Sequence, residues 1–257
     1  MHWILQNNLN REPGMEEIVH VLERAGIPFS EHMVIPYIGE IEPDVSPSGK
    51  VMVFGSYSMR HVAKRKGWKP GCFDLGEITI RDCLTHWQTH MLNSDAVFGS
   101  FGSVRPTIDP FFIRPSADSK YFTGVVMSCR ELAEWQKKVV GLGEDDGSGL
   151  RSNTDVLWCA PKTVQREYRL WIIRGFVATA SQYRVGDRVI YSSVVDDDAI
   201  RFGEEMAALW TPAEAFVLDV CLSQNKWKIV EINVLNAARL YAANAGRLVD
   251  ALEVAFG

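Results

Sequence analysis

The sequence predicts a mixed fold: a small N-terminal α/β lobe followed by two α+β lobes. Three observations carry that prediction. Strand-like and helix-like stretches alternate over residues 1 to about 75, the order of βαβ units. VMVFG at 51–55 is a continuous apolar run of the kind that parallel strands buried on both faces show. From residue 156 onward, strand candidates follow one another across tight polar turns, as in an antiparallel sheet. The expected division is 1–92 for the first lobe and 93–257 for the rest, the latter split into 93–160 and 161–257.

In order, residues 3–6 read as a strand. Pro13 to Ala25 read as a helix with Pro13 and two acids in its first turn and Gly26 ending it. A strand follows near 33–36. The Gly- and Pro-bearing stretch 37–49 reads as loop, and 51–55 as a strand. SYSMRHVAKRKGW then opens a helix capped by Ser56 or Ser58, or else forms a substrate-anchoring turn at a helix N-terminus. Residues 78–91 form a helix capped near Thr79, 96–104 and 109–116 strands, and 128–140 a helix. The stretch 141–154, GLGEDDGSGLRSNT, is the most flexible in character, a turn or a flap. Strands are expected at 156–162, 167–173 and 176–185, with Arg174-Gly175 as a tight turn. A helix over 198–210 and a two-strand hairpin over 215–234 follow, and 236–256 closes the chain as one or two helices.

Composition narrows the function. At 257 residues, with 47% hydrophobic and 23% charged residues, the chain reads as a soluble globular protein. A net charge of −5 argues against indiscriminate nucleic-acid binding. Five scattered cysteines without CxxC spacing point to free thiols in a reducing compartment rather than disulfides or a zinc site. With no apolar run of membrane-spanning length and no leader-like start, the expected location is the cytoplasm, a host's if the chain is phage-encoded.

The chemistry concentrates in the hairpin AFVLDVCLSQNKWKIVEINV. Alternation puts Asp219 on one face of the first strand, with Glu231, Asn233 and Ile229 on one face of the second. A three-residue loop, Gln224 to Lys226, would set Asp219 across from Glu231. Two carboxylates and a carboxamide converging in an apolar setting need a cation, and an all-oxygen set suits Mg²⁺. Two further groupings supply positive charge. FFIRPSADSKYFTG (111–124) ends a strand at Arg114 and carries Lys120 in a loop of small residues, a sound way to hold a polyphosphate. KTVQREYRLWIIRG (162–175) places Glu167 and Arg169 on one strand face with Lys162 upstream, and Arg184 follows in SQYR.

Taken in order, the Arg/Lys strand-loop, the VLWCAPK strand, the EYRLWIIRG strand and the terminal D…EIN hairpin resemble the ATP-grasp superfamily, over about 95–245. In detail they resemble the clade named for one arginine and two lysines, known from bacteria and phages. The resemblance implies ATP clasped between two α+β lobes, with Mg²⁺, or Mn²⁺ as the alternative ion, held by the hairpin. It implies Asp219, Glu231 and Asn233 as metal ligands. Lys120 matches the phosphate loop, Arg114 the strand end where most members carry lysine, and Lys162 the second lysine. Trp158, Cys159 and Ala160 match the hinge that reads adenine, and Glu167 and Arg169 fall in the nucleotide or substrate cleft; the implied catalytic groups, Lys120 with Arg114, Arg169 and Arg184, spread the charge that develops on the phosphate. The implied reaction joins a carboxylate to an amine through an acylphosphate, on a small molecule or a peptide. The rivals are a phosphotransferase of the same fold and a non-catalytic nucleotide-binding protein of phage or conflict systems.

Overall fold

The structure, a computed structural model, describes residues 1–8, 14–35, 39–76, 78–116, 122–141 and 149–257. The chain forms two compact units, one of Met1–Gly76 with Val164–Gly257 and one of Glu77–Thr163.

The first segment alternates as its sequence demands: β1 (His2–Gln6), α1 (Met15–Ala25), β2 (Phe29–Ile35), β3 (Glu40–Glu42), β4 (Val51–Phe54), α2 (Met59–Lys66) and β5 (Pro70–Gly71). The sheet order is β3-β2-β1-β4-β5, with β1 parallel to β2 and β4. β4 is buried along its whole length, which is why its sequence is an unbroken apolar run. α1 buries Ile18 and Leu22 and ends at Gly26, whose φ of 64° lets its N–H close the last turn. Pro13 lies outside the described residues. β3 occupies part of the stretch expected to be loop. Ser58 stands at the N-cap of α2, yet its side chain makes no cap hydrogen bond, so the capping expected of Ser56 or Ser58 is not how this helix begins. It begins instead with a tight turn, the Met59 N–H donating to the Ser56 carbonyl at 2.9 Å.

The Glu77–Thr163 unit holds α3 (Ile80–Trp87), β6 (Val97–Ser100), β7 (Phe111–Pro115), β8 (Val125–Met127), α4 (Cys129–Gly141) and β9 (Asp155–Cys159). α3 starts on a reciprocal cap between Thr79 and Asp82, as expected. The four strands form an antiparallel sheet in the order β6-β9-β7-β8. α4 packs on it through Leu132 and Val139, against Phe101, Phe111, Ile113 and Val156. The strand expected over 96–104 stops at Ser100, where a 3₁₀ turn begins. Of the stretch 141–154, residues 142–148 lie outside the described residues. Beyond them, Leu150 is buried in this core.

The last segment returns to the first unit with β10 (Val164–Ile173), β11 (Phe176–Val185), β12 (Arg188–Ser192), α5 (Asp197–Leu209), β13 (Ala215–Ser223), β14 (Lys226–Asn233) and α6 (Ala245–Phe256). The strands form an antiparallel sheet in the order β12-β11-β10-β13-β14. Arg174 and Gly175 both have positive φ, as do Gln224 and Asn225, so both connecting turns are of the primed type that matches strand twist. One sheet face packs on α5, close enough that a Cβ on Gly203 would meet Leu170 Cδ1 at 2.4 Å. On the opposite face Trp171, Ile173, Ala215 and Val217 share one core with Trp3, Leu5 and Leu22 of the N-terminal segment and Leu248 and Leu252 of α6.

Asn236, 1% exposed, ties the end of the terminal hairpin to the parallel sheet. Its amide donates to the Val53 carbonyl at 2.7 Å and accepts from the Phe73 N–H at 2.8 Å, and its backbone carbonyl accepts from the Gly55 N–H at 2.8 Å. Among the described residues, no helix is long and apolar enough to cross a membrane.

Candidate active site

The terminal hairpin brings its acids together, but not through a three-residue loop. The turn has two residues, and β13 pairs with β14 in one register from Ser223↔Lys226 to Val220↔Ile229. A one-residue bulge at Val230 then shifts the register so that Asp219 faces Glu231 and Val217 faces Asn233. The bulge also corrects the place of Ile229. It pairs with Val220 and is fully buried, where unbroken alternation put it beside Glu231.

Asp219 is 2% exposed, and its charge is matched across the sheet. Arg169, its partner on β10, donates from Nε to Oδ1 at 2.8 Å and from Nη2 to Oδ2 at 2.7 Å. Burial pushes the Asp219 carboxyl above its usual range, and the guanidinium opposes that shift. Asn233 completes the group, its amide nitrogen 3.3 Å from Asp219 Oδ2 and 3.5 Å from Glu231 Oε1. A third acid joins them from β10. Glu167 accepts from the Tyr183 hydroxyl at 2.6 Å and from Arg184 Nη1 at 3.0 Å. Burial raises the Tyr183 hydroxyl well above its ordinary value, so it serves Glu167 as a donor.

Sequence reasoning missed the tyrosines. Tyr183 is the bulged residue of β11, where pairing jumps from Tyr168↔Gln182 to Glu167↔Arg184. Its ring stacks on Tyr241, centroids 5.4 Å apart, and Tyr241 stacks on Tyr191 at 4.8 Å. Tyr191 lies on β12, a strand the sequence reading left out; the Gly186-Asp187 turn between two β-branched runs is the signal that could have found it.

In the Glu77–Thr163 unit, Arg114 lies on β7 opposite Leu157. Trp158 and Cys159 end β9, Trp158 half-buried and Cys159 buried, and Ala160 follows the strand. The Cys159 thiol donates to Asn93 at 3.4 Å, and burial pushes it up to about 11. Lys162 pairs with Asp95 at 2.6 Å. Lys120 lies outside the described residues.

A family model for an ATP-grasp domain, family 3 of the clade named for one arginine and two lysines, matches residues 44–252. The chain belongs to this ATP-grasp family. No curated protein sequence matches it. Among solved structures, the ATP-grasp RimK domain protein from Sphaerobacter thermophilus is similar at 12% identity and a TM-score of 0.65, over 98% of this chain and 100% of that one. D-alanine–D-alanine ligase from Bacillus anthracis, complexed with ATP, is similar at 9% identity and a TM-score of 0.62, over 99% and 96%. The ATP-grasp ligase PsnB, complexed with a minimal precursor, Mg and ADP, is similar at 13% identity and a TM-score of 0.58, over 98% and 97%. At such identities the likeness is one of fold.

The ATP-grasp hairpin of this chain suits a divalent ion by its donors. Two carboxylates converge on one amide that lies within hydrogen-bond reach of both. The amide needs only a half-turn to offer oxygen in place of nitrogen, and Arg169 grips Asp219 from the neighbouring strand.

Proposed function

We propose that this ATP-grasp protein is an ATP- and Mg²⁺-dependent ligase that joins a carboxylate to an amine through an acylphosphate. The observation that carries the reading is the convergence of Asp219, Glu231 and Asn233 at the end of one sheet face, with Arg169 clamped on the most buried of the three. In this reading those three side chains hold the ion, whose charge, when bound, stabilises the oxygens of the transferring phosphoryl group. Arg169 clamps and orients Asp219, and Arg184 with Tyr183 orients Glu167. Arg114, Lys120 and Lys162 neutralise the phosphates, and the backbone of Trp158 to Ala160 meets the adenine.

A substrate carboxylate oxygen attacks the γ-phosphorus in line, the bond to the β-bridging oxygen breaks, and ADP leaves. The amine then adds to the acyl carbon, phosphate departs, and the amine's proton is lost to the medium. No side chain of the protein becomes covalently bonded in these steps. The substrate carboxylate belongs to a small molecule or a peptide, the similar structures including a D-alanine–D-alanine ligase and a ligase bound to a precursor peptide. We assign the protein to the cytoplasm on the five free cysteines of the structure.

The test is ADP release with pools of amino acids and peptides in the presence of Mg²⁺, with product analysis by mass spectrometry. A new amide with ADP and phosphate supports the reading, whereas a stable phosphorylated product would make the protein a phosphotransferase. Glu231→Ala and Lys120→Ala should each abolish Mg²⁺-dependent release. Unchanged turnover in both variants would refute the proposal.

A further inference from the structure

Tyr241 stands in the left-handed region at φ 53°, a conformation that a bulky side chain keeps only where its surroundings enforce it. Here they do so from the residues that follow. The Ala242 N–H donates to Ser181 Oγ at 3.1 Å, and the Asn244 N–H donates to Thr179 Oγ1 at 3.0 Å. Both hydroxyls belong to β11 and are buried, Ser181 completely and Thr179 to 4% exposure. Two sealed hydroxyls thus grip the chain just after the strained residue and aim its ring.

The ring is aimed at Arg169. Tyr241 lies between Tyr183 and Tyr191, nearly parallel to the latter at 18°. The Arg169 guanidinium carbon stands 5.0 Å from the Tyr241 centroid and 5.8 Å from that of Tyr183. A guanidinium beside two aromatic rings gains cation–π attraction and loses rotational freedom. Its fork is then fixed in the plane from which it grips both oxygens of Asp219.

We infer that Tyr241 is a positioning residue of the ion site. Its ring, placed by a strained backbone and two buried hydroxyls, holds Arg169 in register with Asp219 and so sets how that carboxylate meets a divalent ion. The inference rests on the proposed reading of Asp219, Glu231 and Asn233 as ion ligands. Outer groups that orient a ligand without touching the metal commonly matter about 10–100-fold in affinity.

The experiment measures Mn²⁺ affinity in the presence of ADP, from the electron paramagnetic resonance signal of free Mn²⁺, alongside melting temperature. Four variants are compared with wild type: Glu231→Ala, Tyr241→Phe, Tyr241→Ala and Tyr241→Gly. Tyr241→Phe keeps the ring and should bind Mn²⁺ within about twofold of wild type. Tyr241→Ala and Tyr241→Gly should both weaken binding by about tenfold. Glycine takes the left-handed backbone without penalty, so Tyr241→Gly should melt no lower than Tyr241→Ala while sharing its Mn²⁺ defect. The inference is overturned if either ring-less variant binds Mn²⁺ like wild type, or if binding recovers in step with the stability that glycine restores. Mn²⁺ binding that survives Glu231→Ala would instead overturn the ion site itself.

Discussion

Strands β10 and β13 cross from a dry half to a polar half of the same sheet face within two residues. Trp171 and Val217 face each other across the sheet, fully buried in the core shared with α6 and the parallel sheet. Two residues along, Arg169 and Asp219 face each other at nearly the same burial, 9% and 2% exposed, joined by a two-point ion pair. Equal burial rests on unlike forces. The dry half is held by non-directional packing, which degrades in proportion to volume lost. The polar half is held by reciprocal pairs, each member of which is costly once its partner is gone.

The largest expected effects come from breaking each half in its own way. Asp219→Ala leaves the Arg169 guanidinium buried and unpaired, and should cost about 3–5 kcal/mol in urea unfolding. Trp171→Ala opens a cavity and should cost a similar amount, about 3–5 kcal/mol, but at temperatures where it stays folded it should bind Mn²⁺ as wild type does. If Trp171→Ala lost Mn²⁺ binding while folded, the two halves would be one unit. Gly203→Ala, on the face under α5, presses a methyl against Leu170 and should cost about 1–3 kcal/mol without touching Asp219, Glu231 or Asn233. Glu231→Gln should change stability by no more than about 1 kcal/mol, since the residue is only half-buried. It should nonetheless lower Mg²⁺-dependent turnover by about 10–100-fold, a contrast between stability and activity that a packing residue would not give.

The smallest effect is a pH dependence. Cys221 lies two residues beyond Asp219 on the same strand, and burial, with the Glu167 charge adding to it, raises its thiol from 9.0 to about 12. Above pH 9 the unfolded thiol loses its proton while the folded one keeps it. Unfolding then releases a proton, and stability falls as pH rises from 9 toward 12. Cys221→Ala should flatten that slope in unfolding titrations; an unchanged slope would assign it to other groups.

Much of this was legible because period-two alternation is a local property. Asp219, Glu231 and Asn233 could be set on one face from their spacing alone, and the Arg174-Gly175 turn from its dipeptide. The route was misread, since nothing local in KWKIVEIN marks Val230 as a bulge. Ladder hydrogen bonds and side-chain packing fix it there, and both depend on β13. The tyrosines were illegible for the same reason. Tyr183, Tyr191 and Tyr241 come from three separate elements, and their company is made by the sheet. Asn236 looked like the start of a closing helix, because its partners, Val53 and Phe73, lie more than 160 positions away. Lone capping candidates were also deceptive: Thr79 closes a reciprocal cap, while Ser58, an equally plausible residue, leaves its hydroxyl unused for that purpose.

The shared core that joins Trp3 and Leu22 to Leu248 and Leu252 has a consequence for biogenesis. During synthesis the opening βα units emerge well before the closing helix that covers their apolar side. They must wait, greasy and incomplete, while the intervening Glu77–Thr163 unit is made. Removing the helix Ala245–Phe256 would therefore uncover Trp3 and Leu22.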